Sequence, residues 1–265
     1  MARRSILLHY HIFKNAGSTI VSILRKNFSD SFQTIDEPSE HGCISAEAII
    51  KHLTRHRHRH LKALSSHHFT DPRPDEQADL RFVDICFLRH PLDRLQSMYS
   101  YYRSIPDQID KSLAAKRMTL PDFLLWMLEV EPYNTMNSQT AFMATGGKYF
   151  FPPSSSAFEA ACRRVEDVRF LGVVDRFDES LMAARFFLRP MFPNLDFTYS
   201  PVNVSGDYQM SLTEKLEKMK DLCGGAFFDR LRKVNEIDEK LWMHATEEVT
   251  RRFQFVPDSQ RTLGS

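Results

Sequence analysis

A three-layer α/β domain, with a central parallel sheet flanked by helices, is the fold class this sequence predicts. Three observations carry it. Apolar runs at 5–12, 81–88 and 168–174, bounded by polar or turn residues, read as buried strands. Helical patterns follow them, and strands that alternate with helices make a parallel sheet. The chain has 265 residues, 42% hydrophobic and 26% charged, which suits one globular domain with a sizeable core.

The elements follow in order. Residues 5–12 form the first strand and 18–27 the helix after it, a β-loop-α unit at the start of the chain. F-Q-T-I, 32–35, reads as a short second strand, and D-E-P-S-E-H-G as a loop. From 45 to 64 the pattern is partly helical, starting at Ser45, with Ile49, Ile50, Leu53, His60, Leu61 and Leu64 at helical spacing. S-S-H-H-F-T-D-P-R-P-D is a polar loop. The strand 81–88 runs into R-H-P-L-D-R-L-Q-S-M-Y-S-Y-Y, where Pro91 suits the first turn of a helix. Residues 120–130 are an aromatic-rich helix. The strand 168–174 precedes a helix over 179–189, with Asp178 as its cap. S-L-T-E, 211–214, fits a capping box and opens a helix to about 221. A last helix spans about 227–253. Residues 1–256 read as a single domain and 257–265 as a loose tail.

Composition narrows the function. A formal net charge of +1 argues against bulk binding to nucleic acid, so any anion site must be local. Cys43, Cys86, Cys162 and Cys223 form no C-x-x-C pair and read as free thiols in a reducing compartment. No apolar run reaches the roughly 18–20 residues of a membrane span. The N-terminal apolar run is broken by His9 and His11 too soon for a signal peptide. The expected setting is cytoplasmic.

Ligands of parallel sheets sit at the carboxyl ends of the strands, and two loops there carry chemistry. In F-K-N-A-G-S-T, Ala16 and Gly17 let backbone amides approach an anion. The helix beginning near Ser18 offers free N–H groups and a positive dipole end. Ser18 and Thr19 add hydroxyls, and Lys14 supplies a mobile charge. This inverts the nucleotide loop G-x-x-x-x-G-K-[ST], whose lysine comes last. The plain alternative is a strand-to-helix turn capped by Ser18. In the second loop Arg89 stands at a strand end, where an arginine can grip a phosphate bidentately. Ser97, two helical turns on, can reach the same group, and Arg94 lies between them. One ligand with two phosphate ends explains both loops. Ordinary surface residues are the alternative.

At this pair the sequence resembles the sulfotransferases. F-K-N-A-G-S-T is similar to their 5′-phosphosulfate loop and L-R-H-P-L-D-R-L-Q-S-M-Y-S-Y-Y to their 3′-phosphate loop. The likeness is nearest to the branch of bacterial sulfotransferases and heparan sulfate 2-O- and 6-O-sulfotransferases. S-S-H-H-F falls where that family has its base-bearing G-H-x segment. N-S-Q-T-A-F-M-A-T-G-G resembles a helical stretch near the acceptor site. V-R-F-L-G-V-V-D-R-F-D-E-S-L resembles the third strand and its acidic turn, and N-E-I-D-E-K-L-W the late N-x-x-D-x-x-L-Y segment, with Trp242 in the tyrosine's place.

The resemblance implies a P-loop-like domain. It implies 3′-phosphoadenosine 5′-phosphosulfate (PAPS) as donor, adenosine 3′,5′-bisphosphate (PAP) as product, and no metal. Lys14, Asn15, Ala16, Gly17, Ser18 and Thr19 would hold the phosphosulfate, with Lys14 at the oxygen bridging phosphorus and sulfur. Arg89 and Ser97 would hold the 3′-phosphate. His68 is the expected base, with His67 as the near alternative, because adjacent loop side chains point different ways. Ser66 stands where some relatives carry another histidine. Asn203, Ser205 and Gly206 are candidates for the adenosine. The acceptor would be a hydroxyl of a carbohydrate, lipid or small molecule, and a lipid acceptor would bring the protein to a membrane. Rival readings are a non-catalytic nucleotide-binding module and a magnesium-dependent nucleoside-triphosphate phosphotransferase.

Three further features have modest readings. R-H-R-H-R-H, 55–60, reads as a solvated basic face, with metal ligation or docking of an acidic acceptor as lesser alternatives. His9 and His11 alternate on a strand and are expected at its edge. Tyr99, Tyr101 and Tyr102 read as core or as the border of an acceptor cleft.

Overall fold

A computed structural model describes residues 3–37, 42–70, 72–107, 109–145, 153–200 and 210–263. Strand β1 (Arg4–Tyr10) leads through the first loop into α1 (Gly17–Phe28). β2 (Phe32–Thr34), α2 (Ala46–Thr54), β3 (Ala63–Ser66) and β4 (Leu80–Leu88) follow. A helical block comes next: α3 (Pro91–Ser104), α4 (Asp110–Arg117), α5 (Leu120–Val130), α6 (Pro132–Thr135), α7 (Ser138–Thr145) and α8 (Ser155–Asp167). β5 (Phe170–Val173) and α9 (Phe177–Leu188) precede α10 (Leu212–Cys223), α11 (Gly225–Val234) and α12 (Glu236–Phe253).

The five strands form one sheet in the order β2-β3-β1-β4-β5, and every pairing is parallel. The expected α/β class is therefore the observed one. Alternation along the strands sends side chains to two faces. Ile6, Leu8 and Tyr10 of β1 join Phe82, Cys86 and Leu88 of β4 in a core with residues of α2, α7, α8 and α12. Leu7, Val83, Ile85 and Phe87 face the other way, against Ile20, Ile23 and Leu24 of α1 and Leu181 and Ala184 of α9. A third cluster, built from α3, α5 and α11, stands beside the sheet.

Four expectations are corrected. The segment 45–64 is not one helical stretch: α2 ends at Thr54, and Ala63–Ser66 is a strand. It lies between β1 and β2 with all four residues buried, so no polar alternation betrays it. His9 is not at a sheet edge, because β1 is central and His9 is 1% exposed. The last helix is two helices, broken at Asn235. Near the C-terminus the Arg185 guanidinium donates to the carbonyls of Gln260 and Thr262. Asp178 lies in the first turn of α9 rather than at its cap, and accepts from the Tyr199 hydroxyl at 2.8 Å. The capping box Ser211–Glu214 is present as expected. Among the described residues no helix is long and apolar enough to cross a membrane.

The break at Asn235 has a physical purpose. A buried helix start needs acceptors for its first N–H groups. The Asp238 carboxylate accepts from the amides of Gln139 (3.0 Å) and Thr140 (2.7 Å) and from the Thr140 hydroxyl (2.7 Å), which caps α7. In return Asn137 Oδ1 accepts from the amides of Ile237 (3.1 Å) and Asp238 (3.0 Å), which caps α12. Asn235 Oδ1 accepts from the Asn137 amide at 3.1 Å. Asp238 and Asn235 are both fully buried. Asp238→Ala would strand three buried donors and remove a cap. The expected loss is about 2–4 kcal/mol of stability, read as a lower midpoint in urea unfolding.

Candidate active site

The carboxyl ends of β3, β1, β4 and β5 open onto one cleft of about 640 Å³, a size that suits a small ligand. Its walls include Lys14, Ala16, Gly17, Ser18 and Thr19 from the first loop, Arg89 and Ser97 from the second, and His67 from the end of β3. Asn15 and His68, also expected there, do not line it. Asn203, Ser205 and Gly206 lie outside the described residues.

The first loop turns on two left-handed residues, Lys14 (φ 67°) and Ala16 (φ 60°). Neither is glycine, so each costs roughly 1–2 kcal/mol. Such strain persists only where the surroundings over-determine it, and Asn15 does so here. It is 1% exposed and turned inward, donating to the carbonyl of Phe87 (2.8 Å) and to Gln139 Oε1 (2.7 Å). Asn15 thus pins the loop rather than facing a ligand. α1 then starts without a side-chain cap and with no acid in its first turn, so its positive end faces the cleft uncompensated.

Gly17 answers a contact more than a torsion. A Cβ there would fall 1.8 Å from His11 Nε2. The His11 ring stacks on His67 at 3.9 Å and on His9 at 5.0 Å between centroids. Three imidazoles therefore run in series from the buried sheet to the cleft. Burial and then the neighbouring His67 push His9 down to about 3. Burial, His9, His67 and Lys14 hold His11 well below the ordinary histidine range. His67 is lowered too, since burial outweighs the attraction of Asp36. The stack is neutral near pH 7.

Asp36 stands beside both candidate histidines. Its Oδ1 accepts from the His67 amide (2.8 Å) and the Ser66 hydroxyl (3.0 Å), and its Oδ2 stands 3.5 Å from His67 Nδ1. Burial would raise this carboxyl, but the His67 amide, the His67 ring and the Ser66 hydroxyl together hold it low. A carboxylate beside Nδ1 favours the tautomer whose Nε2 is free to accept a proton. The His68 ring also approaches this carboxylate, with Nδ1 3.3 Å from Asp36 Oδ1. Its Nδ1 accepts from the Glu37 amide at 3.2 Å, and its side chain is only 12% exposed. Of the two, His67, the expected near alternative, lines the cleft, and His68 does not.

Lys14 meets aromatic rings, lying 4.5 Å from the Tyr101 centroid and 5.9 Å from that of Phe13. Burial first, and then the Arg89 charge, lower its ammonium to about 8. Arg89 is less free than expected. Its Nε and Nη2 form a fork on Asp93 (2.5 and 2.9 Å), and Nη1 donates to the Lys14 carbonyl (3.2 Å). One N–H remains on each terminal nitrogen. Arg94, between Arg89 and Ser97, is 1% exposed, reaches the Asn134 carbonyl and does not line the cleft.

The far wall was not foreseen as a site. Asp175, Arg176, Asp178 and Glu179 at the end of β5, with Tyr199 and Lys215, line it. The turn D-R-F-D-E followed an expected strand, so its place at a strand's carboxyl end was the available signal. Lys215 on α10 carried none. Tyr101 does border the cleft, while Tyr99 and Tyr102 are buried in the helical cluster. In the histidine-rich strip, the His52 and His58 rings stack at 4.0 Å. Among the described residues no group of three or more His, Cys, Asp or Glu is arranged to hold a metal ion.

A known protein and a known family are similar to this chain. An uncharacterized protein of Archaeoglobus fulgidus is 29% identical over 249 residues, covering 90% of this chain and 95% of that protein. A family model described as "Sulfotransferase family" matches residues 1–147, more than half the chain and the part that holds both anion loops, His67 and Gln139. The chain belongs to the sulfotransferase family.

Proposed function

We propose that the protein transfers a sulfuryl group from PAPS to a hydroxyl of a carbohydrate, lipid or small-molecule acceptor, in a cytoplasmic setting. One observation carries this reading. Two anion-competent loops, tied to each other, end adjacent parallel strands and share one cleft with His67. The residues fit a nucleotide with two phosphate ends. Strained backbone and a bare helix start suit the 5′ end; Arg89 and Ser97 suit the 3′ end.

Bound there, the donor supplies the sulfuryl group and a phosphate oxygen as leaving group. His67 Nε2 takes the acceptor's hydroxyl proton as the new S–O bond forms. Lys14 stabilises the charge that collects on the bridging oxygen as the old S–O bond breaks. An ammonium that meets that charge chiefly in the transition state lowers the barrier. The electron pair leaves with adenosine 3′,5′-bisphosphate. Asp36 holds the His67 tautomer throughout.

Calorimetric titration with adenosine 3′,5′-bisphosphate, beside ATP with magnesium, tests the donor. Micromolar binding that is selective over ATP, and lost in Arg89→Ala, is expected. Preference for ATP would favour the phosphotransferase reading. With an acceptor in hand, His67→Ala should lower turnover by about 10²–10⁴ with bisphosphate affinity nearly unchanged. His68→Ala should keep most of the turnover. Equal losses in the two variants would undo the choice of base.

The pH profile of kcat/KM reports groups of the free enzyme. His67 must be neutral to accept a proton, so activity rises with pH through a value below the ordinary 6.5 or so. Lys14 must be charged, so activity falls as pH passes about 8. In Lys14→Arg the alkaline limb should vanish, because a guanidinium does not titrate there. An unchanged limb would assign it to another group.

A further inference from the structure

The amide of Gln139 joins the two anion loops. It is 1% exposed at the start of α7 and outside the cleft lining. Its Oε1 accepts from Asn15 Nδ2 (2.7 Å) in the first loop and from the Arg89 amide (2.9 Å) in the second. Its Nε2 donates to the Arg89 carbonyl (2.8 Å). Both backbone groups of Arg89 are thus held by one side chain, and the same side chain holds the residue between Lys14 and Ala16. The amide is oriented in turn by Asp238, which accepts from the Gln139 backbone amide (3.0 Å) and lies 3.5 Å from Nε2.

We propose that Gln139 is a positioning residue that sets the separation of the two anion loops, and with it the selectivity for a nucleotide carrying phosphates at both the 3′ and 5′ positions. This rests on the donor reading above. The physical basis is the chelate effect. Once one phosphate is seated, the second binds as an intramolecular event, and its advantage is lost when the two sites no longer match the ligand's span. A ligand with a single phosphate uses one loop and is indifferent to the spacing. Two other bonds tie the loops, Asn15 to the Phe87 carbonyl and Arg89 to the Lys14 carbonyl, but the Gln139 amide alone grips Asn15 and both backbone groups of Arg89 at once, among the described residues.

The test compares three ligands by calorimetry: adenosine 3′,5′-bisphosphate, adenosine 5′-monophosphate and adenosine 3′-monophosphate. The variant is Gln139→Met, which keeps chain length and removes the amide. The bisphosphate should lose about tenfold or more beyond the loss of either monophosphate. A role limited to stability would lower the melting temperature and weaken all three ligands alike, and that outcome would overturn the proposal. Should Gln139→Met melt below the assay temperature, Asn15→Ala cuts the same bridge from the first loop and is read by the same ratio. If the unaltered protein shows no preference for the bisphosphate over the monophosphates, the donor reading itself fails. That outcome is distinct from a preference that survives the substitution, which sinks only the role of Gln139.

Discussion

α7 and α12 cap each other across about a hundred residues of sequence, and the cleft depends on that knot. Burying a carboxylate is costly unless its lone pairs are filled. Asp238 has three donors and the nearby Arg94 charge, yet burial still raises its carboxyl above the ordinary range. An apolar residue there would avoid that cost but leave the α7 amides without acceptors. The polar solution also fixes direction: it aims the first turn of α7 at the sheet, where Gln139 meets Asn15 and Arg89. Stability and site geometry therefore draw on the same hydrogen bonds.

Charge in the cleft suits the anionic donor of the proposed reaction. Lys14 and Arg89 repel one another, and Asp93 neutralises part of Arg89. Tyr101 offers Lys14 a ring face, which screens less than a carboxylate and leaves the ammonium available. The histidine stack works the other way. Burial, with a smaller push from the His68 charge, keeps His67 uncharged in the resting site, and His67 in turn helps keep His9 and His11 uncharged. In the proposed reaction, binding an anion and accepting a proton thus fall to separate groups in one cleft, held in opposite protonation states.

Local pattern revealed the parts of this site that are local. The first loop and the Arg89 strand end were legible because each joins a long apolar run to a helix start, and both junctions fall where expected. The strand 63–66 was hidden, since four buried residues after a helix look like more helix. Seeing which of His67 and His68 reaches the cleft needed the register of that strand, which places His67 and not His68 in its lining. Asn15 was included with its loop, but its inward turn depends on Gln139, more than a hundred residues on. Contacts at that separation have no signature in the composition of either segment. The break at Asn235 was concealed by a continuous helical pattern, because it answers a need of α7 rather than of its own helix.

The division of labour along the chain follows from these contacts. The matched segment, 1–147, contains the groups that would touch the sulfuryl donor and the base that would face the acceptor. The remainder contributes Asn235 and Asp238, which hold Gln139 in place, and the wall formed by Asp175, Arg176, Asp178, Glu179, Tyr199 and Lys215. That wall carries both signs of charge, and it is built on β5 and the helices after it. The wall opposite is tied to the sheet as well: the Ser180 hydroxyl accepts from the Val173 amide at 3.0 Å, and Asp175 accepts from the Trp242 indole N–H at 2.9 Å.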